Sequence, residues 1–303
     1  MKRLLLALVF ALPLLAQSDR PLIQIVSAND TTVTYRKLEP PRVALDLEDG
    51  SYHVKGCPLL RDTMQWAAPA AAQLQHLQPH ACVRIATIEY TTHTAKRRPR
   101  DPKVISVLFL GNSLTYWNDL PRITTEIAKG EARPIRAASV TMGGSTLEML
   151  WYRTKALEQL WLEHWDYVIV QERSGRAPHD RGELFHQYLG LFANEIRKSG
   201  AQPLIYMTWL PDRAAANEKL FRSAATRARA KLVPAGIAFA ELTKKGMNLL
   251  EDGTHPNIAG SYLVACSVFS TIYARQAPET PVAFNPAAAT LIRQTVWRAV
   301  SKK

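Results

Sequence analysis

Two short segments of this chain carry side chains able to do nucleophilic chemistry. In Gly111-Asn112-Ser113-Leu114-Thr115, a serine follows a glycine that permits a close turn. At the junction of a strand and a helix, such a serine exposes its hydroxyl above the sheet, and its own amide points toward a carbonyl bound there. The same residues also read as a glycine–asparagine turn in which the serine caps a helix. Near the other end lies Asp252-Gly253-Thr254-His255-Pro256-Asn257. An aspartate and a histidine three apart, in a loop fixed by glycine and proline, suit a proton relay. The imidazole takes a serine proton, and the carboxylate fixes its tautomer and stabilises the imidazolium. Taken alone, this segment is also a polar loop whose Asn257 caps the following helix.

For the two segments to meet, the elements between them must bring them to one edge. From Lys103 the chain alternates short apolar runs with longer amphipathic stretches. Strands are expected at Val104–Leu110, Ile135–Val140, Tyr167–Val170, Leu204–Thr208 and Gly236–Phe239. Helices are expected at Asp119–Gly130, Thr146–His164, Gly182–Lys198, Arg213–Leu232, Ile258–Ala274 and Ala287–Val300. Unbroken apolar strands separated by helices predict a parallel sheet covered on both faces. The fold class expected is α/β, a flavodoxin-like three-layer α/β/α sandwich, with a small N-terminal α+β module before it. In such folds ligands bind beyond the carboxyl ends of the strands. Ser113 sits at such an end.

Taken together, the two segments make the chain resemble the SGNH/GDSL hydrolases, in the branch whose nucleophile motif reads Gly-Asn-Ser-Leu-Thr. It lacks the Gly-x-Ser-x-Gly elbow of the α/β-hydrolases. The resemblance covers roughly residues 103–280 and implies Ser113, Asp252 and His255 as a catalytic triad. It also implies an oxyanion hole of three donors: the amide of Ser113, a glycine amide after the second strand, and an asparagine side chain after the third. Gly143 and Gly144 both qualify for the second donor, with Gly144 preferred. For the third, the chain departs from the family's Gly-x-Asn-Asp and has Gln171-Glu172-Arg173-Ser174. Gln171 has the same amide chemistry on a longer arm, and a buried structural glutamine is the competing reading. Asn112, Trp117, Gly143 and Trp209 fall at strand ends and are candidates for contact with substrate. Helix entry and core packing account equally for the two tryptophans.

The implied activity is hydrolysis of a small acyl ester with no metal or organic cofactor. An acetylated polysaccharide is the substrate class expected from exported relatives. A lipid esterase or lysophospholipase, or a non-catalytic carbohydrate- or envelope-binding protein, are the alternatives.

The bulk numbers fit a globular exported protein. Of 303 residues, 47% are hydrophobic and 21% charged, which excludes wholesale disorder. The net charge of +12 is not gathered into a block beside any nucleic-acid motif, so no nucleic-acid partner is expected. Residues 1–16 read as a signal peptide. Lys2 and Arg3 precede the apolar Leu4–Leu15, a run too short for a membrane span, and the expected location is periplasmic or secreted. Residues 17–92 form the expected N-terminal module, with short β-like pieces and a helix at Met64–Leu77. Residues 93–102, with Lys96-Arg97-Arg98-Pro99-Arg100, read as a solvated basic linker to a hydrolase domain at 103–303. Tyr52-His53 with Cys57 and Cys82 resembles a short Tyr-His-x-x-x-Cys module of bacterial exported proteins. A Cys57–Cys82 disulfide, a metal site with His53 and His80, and free thiols all remain open for it. Cys266, in an apolar helical stretch, is expected to be a buried free thiol without a catalytic role.

Overall fold

The computed structural model describes residues 23–38, 43–47, 81–85, 90–173 and 182–302. The chain divides into two compact units, Met1–Ala95 and Lys96–Lys303. In the first lie the strands β1 (Ile23–Ala28), β2 (Thr32–Leu38), β3 (Val43–Leu47) and β4 (Ala81–Ile85), with β5 (Tyr90–Lys96) ending at the division. They form a three-stranded sheet, β1-β2-β5, and an antiparallel β3-β4 pair. Asn29 turns the β1–β2 hairpin, its side-chain oxygen accepting the amides of Thr31 and Thr32 at 2.9 and 2.8 Å. Ile23, Val33 and Tyr35 are the buried apolar residues of this hairpin. The expected signal peptide, the Met64–Leu77 helix and Cys57, His53 and His80 lie outside the described residues. Cys82 sits in β4, in register with Asp46.

The second unit opens differently from the solvated linker expected at 93–102. Residues up to Lys96 belong to β5. Arg97 is 7% exposed. Its guanidinium donates to the carbonyls of Trp161 at 2.9 Å and Ser199 at 3.3 Å, and lies over the Trp161 ring. Arg98 pairs with Glu163, and Arg100 with Asp166. Arg97 is the buried member of the run, while the Arg98 and Arg100 side chains stay largely exposed beside their carboxylate partners.

Among the described residues, this unit continues with β6 (Ile105–Gly111), α1 (Ser113–Tyr116), a 3₁₀ turn (Trp117–Asp119), α2 (Leu120–Ile127), β7 (Ile135–Thr141), α3 (Leu147–Arg153), α4 (Ala156–Leu162), β8 (Tyr167–Val170), α5 (Gly182–Lys198), β9 (Gln202–Tyr206), a 3₁₀ turn (Pro211–Arg213), α6 (Ala214–Ala228), β10 (Lys231–Val233), α7 (Ala235–Lys244), α8 (Ile258–Tyr273) and α9 (Pro286–Ser301). Strands β6 to β10 form one parallel sheet in the order β10-β9-β8-β6-β7. Counted from β6, that is the flavodoxin-like order 2-1-3-4-5. Every residue of β6 is buried, as a central strand covered on both faces requires. Ile105, Val107 and Phe109 join a core with α2, α7, α8 and α9. Leu108 and Leu110 point to the opposite face. There α3, α5 and α6 pack together.

Two local expectations are corrected. The fifth strand is Lys231–Val233, and Gly236–Phe239 lies inside α7. An apolar run that short does not distinguish a strand from a buried helix. Gly236 is instead a packing glycine, since a Cβ there would stand 2.2 Å from the Thr208 carbonyl. The long helix expected at Thr146–His164 is two, α3 and α4, separated at Thr154-Lys155.

Candidate active site

The site is assembled from the turn after β6 upward. Asn112 caps α1: its side-chain oxygen accepts the Leu114 amide at 3.1 Å, and its carbonyl accepts the amides of Thr115 and Tyr116. Of the first-turn amides, only that of Ser113 is not taken by Asn112. The Asn112 side-chain amide donates to the Ser145 carbonyl at 2.8 Å, tying this turn to the one after β7. Beneath both lies Gln171, at the end of β8 and fully buried. Its oxygen accepts the Asn112 amide at 2.9 Å and the Thr115 hydroxyl at 2.8 Å. Its nitrogen donates to the Asn112 side-chain oxygen at 3.0 Å and the Glu172 carbonyl at 2.7 Å. A Cβ on Gly111 would stand 2.3 Å from the Thr115 hydroxyl and 2.5 Å from the Gln171 oxygen, so this close approach needs glycine.

Ser113, half-buried on this support, has its Oγ 2.9 Å from His255 Nε2. His255 Nδ1 is 2.7 Å from Asp252 Oδ2. The other Asp252 oxygen accepts the amides of His255 at 2.7 Å and Thr254 at 3.0 Å. These bonds, the His255 amide first, hold the exposed Asp252 carboxyl down at about 2. The loop that carries the pair is pinned from several sides. The Glu251 amide donates to the His255 carbonyl at 2.9 Å, and the Asn257 amide to the Leu249 carbonyl at 3.0 Å. Asn257 also caps α8 by accepting the Gly260 amide. Asn118, in the left-handed region at φ 55°, donates to the Pro256 carbonyl at 2.8 Å and to the Ser261 hydroxyl at 3.0 Å. It thereby links the turn after Ser113 to the loop holding His255.

Beside Ser113, the turn after β7 closes with a bond from the Ser145 amide to the Met142 carbonyl. Gly143 and Gly144 between them are exposed, and Gly144 has φ 64°.

No family model and no curated protein matches the chain. Solved structures do. One is a protein from Slackia heliotrinireducens assigned to the SGNH hydrolases, 28% identical over 56% of this chain and 99% of its own, with a TM-score of 0.46. An acetyl xylan esterase is 16% identical over 55% of this chain and 100% of its own, with a TM-score of 0.47. A lipase/acylhydrolase from Enterococcus faecalis is 15% identical over 59% and 100%, with a TM-score of 0.47. The chain is similar to SGNH/GDSL hydrolases.

The structure brings the Ser113, His255 and Asp252 side chains within hydrogen-bonding distance of one another, while other candidate residues do not fall where expected. Gln171 is not free to donate to an oxyanion, because all four of its hydrogen-bonding positions are spent on the chain itself. Asn112 is 2% exposed and acts as a cap, not a substrate contact. Trp209 is 4% exposed, stacks on Phe239 at 4.2 Å and donates to the Thr254 carbonyl at 3.2 Å. It supports the histidine loop from the core. Trp117 presents one face to His255. Gly143 remains at the surface of the site, and a Cβ there would stand 3.3 Å from the Tyr116 hydroxyl. Cys266 is fully buried, with its thiol pushed up to about 12 by that burial, and is no nucleophile. Neither Glu251 nor Asn118 stands in a recognisable motif of the sequence. Their one signal was adjacency, Glu251 beside Asp252 and Asn118 at the end of the serine turn.

A pH test follows from Asp252. Its folded value, about 2, lies below the ordinary 3.8, so the folded state holds the charged form. The stability contributed by its bonds is complete above about pH 4 and is lost as the pH falls toward 2. The difference in thermal midpoint between wild type and Asp252→Ala is therefore expected to shrink over that window. A difference that stays unchanged as the pH falls from about 4 to about 2 contradicts this.

Proposed function

We propose that the chain is an exported serine esterase of the SGNH/GDSL type that hydrolyses small acyl esters, foremost O-acetyl groups on carbohydrate. The observation that carries the reading is the 2.9 Å approach of Ser113 Oγ to His255 Nε2, backed by Asp252 at 2.7 Å. His255 removes the hydroxyl proton as Ser113 Oγ attacks the ester carbonyl. Asp252, charged through the neutral range, stabilises the imidazolium. The amides of Ser113 and Gly144 receive the oxyanion. His255 then passes the proton to the leaving alcohol, and water, activated by the same imidazole, releases the acid from the acyl-serine. With Gln171 committed elsewhere, two backbone donors are the proposed oxyanion hole.

The sugar-ester preference and export are the finer parts of the reading. Export rests on the residue pattern of positions 1–16. A sugar substrate suits the exposed ring of Tyr116, 44% accessible and one turn from Ser113, as a flat face beside the site. No helix among the described residues is long and apolar enough to cross a membrane.

The test is to treat the mature protein with a fluorophosphonate probe, follow p-nitrophenyl acetate hydrolysis, and locate the label by peptide mass. Labelling on the peptide containing Ser113, with turnover, is expected. A protein that neither labels nor turns over ends the esterase proposal. Acetylated xylan, pectin and peptidoglycan fragments, compared with short-chain lipids, then decide the acyl acceptor.

A further inference from the structure

The residues that complete the relay also show what holds its middle member. His255 is fixed by two in-plane bonds, to Asp252 at 2.7 Å and Ser113 at 2.9 Å. Two bonds along one axis leave the ring free to tilt about that axis. The indole of Trp117 lies against one face of the ring, with centroids 4.1 Å apart and planes inclined by 18°. Trp117 is held in turn: its Nε1–H donates to Glu251 Oε2 at 3.1 Å. The Glu251 amide then returns to the His255 carbonyl at 2.9 Å. The result is a closed ring of contacts, from Glu251 to Trp117 to His255 and back through the main chain.

We propose that Trp117 and Glu251 are positioning residues that clamp the His255 imidazole in the plane joining Asp252 to Ser113. The proposal rests on the reading of Ser113 as nucleophile. A parallel aromatic plane removes the tilt that the hydrogen bonds allow. Its negative π face also favours the ring when it is protonated, the form that exists as Ser113 attacks. Asp252 meets the edge of the imidazole, and Glu251 accepts at the edge of the indole. The clamp therefore acts on the chemical step and leaves ester binding alone.

The experiment compares W117L, W117F, E251A and E251Q with wild type on p-nitrophenyl acetate. Circular dichroism melts check the fold. W117L keeps bulk without a π face and is expected to lower kcat about tenfold or more, with KM changed less than about twofold. W117F restores a ring and is expected to recover kcat to within about threefold of wild type. E251A is expected to fall between them. E251Q, whose side-chain oxygen still accepts the indole N–H, is expected to remain near wild type. Wild-type kcat in W117L, or W117F impaired as deeply as W117L, overturns the clamp. If W117L does not fold, E251A decides, and wild-type kcat there overturns it. Failure of the underlying reading looks different, because the wild-type protein itself then takes no fluorophosphonate label.

Discussion

Ser113→Ala is expected to abolish fluorophosphonate labelling and to cut p-nitrophenyl acetate hydrolysis by at least about 10³-fold, while its melting transition stays close to wild type. The size of the loss follows from the route. Without Oγ no acyl-enzyme forms, and what remains is the background set by oxyanion donors and binding. The unchanged melt follows from the structure. The hydroxyl hydrogen-bonds to His255, whereas the helix it opens is held by Asn112 and Gln171. An exposed-side substitution that breaks no buried network shifts stability by about 0.5 kcal/mol or less. Activity and stability are thus expected to separate cleanly. A variant that hydrolyses the ester as fast as wild type moves the chain to the non-catalytic binding class.

Gln171→Leu is expected to show the opposite pattern, a large loss of stability. The side chain satisfies the Asn112 amide, the Asn112 side-chain oxygen, the Thr115 hydroxyl and the Glu172 carbonyl, all inside the protein. A leucine fills the volume and leaves four buried polar partners without it. Each buried group left unsatisfied costs about 1–3 kcal/mol, so a loss on the order of 3 kcal/mol or more is expected after relaxation. Denaturant unfolding measures it. Residual activity is expected to decline through displacement of the Ser113 turn. A Gln171→Leu protein as stable as wild type, with only kcat reduced, restores Gln171 as an oxyanion donor.

These contrasts trace what could be read from the chain and what could not. Ser113, Asp252 and His255 were singled out only by the resemblance that their two segments carry together, since each segment alone also reads as a capped turn or a polar loop. The alternation of strands and helices was legible because its pattern is local. Gln171 was ambiguous because its role depends on Asn112 and Thr115, dozens of positions earlier, and amide chemistry alone does not say which way a side chain faces. The tryptophans illustrate the same point. Trp209 and Trp117 both follow elements at the reactive edge, yet one is sunk against Phe239 and the other lies on His255. The fifth strand was misplaced because Lys-Leu-Val offers only three residues, while the apolar stretch behind it is longer and helical.

The burial of Arg97 bears on where the second unit could be cut free and grafted to another protein. A fragment starting at Lys103 would look natural from composition, but it would strip a guanidinium from the Trp161 and Ser199 carbonyls and hand those positions to water. A fusion joint belongs upstream of Lys96, so that the arginine travels with its receptors.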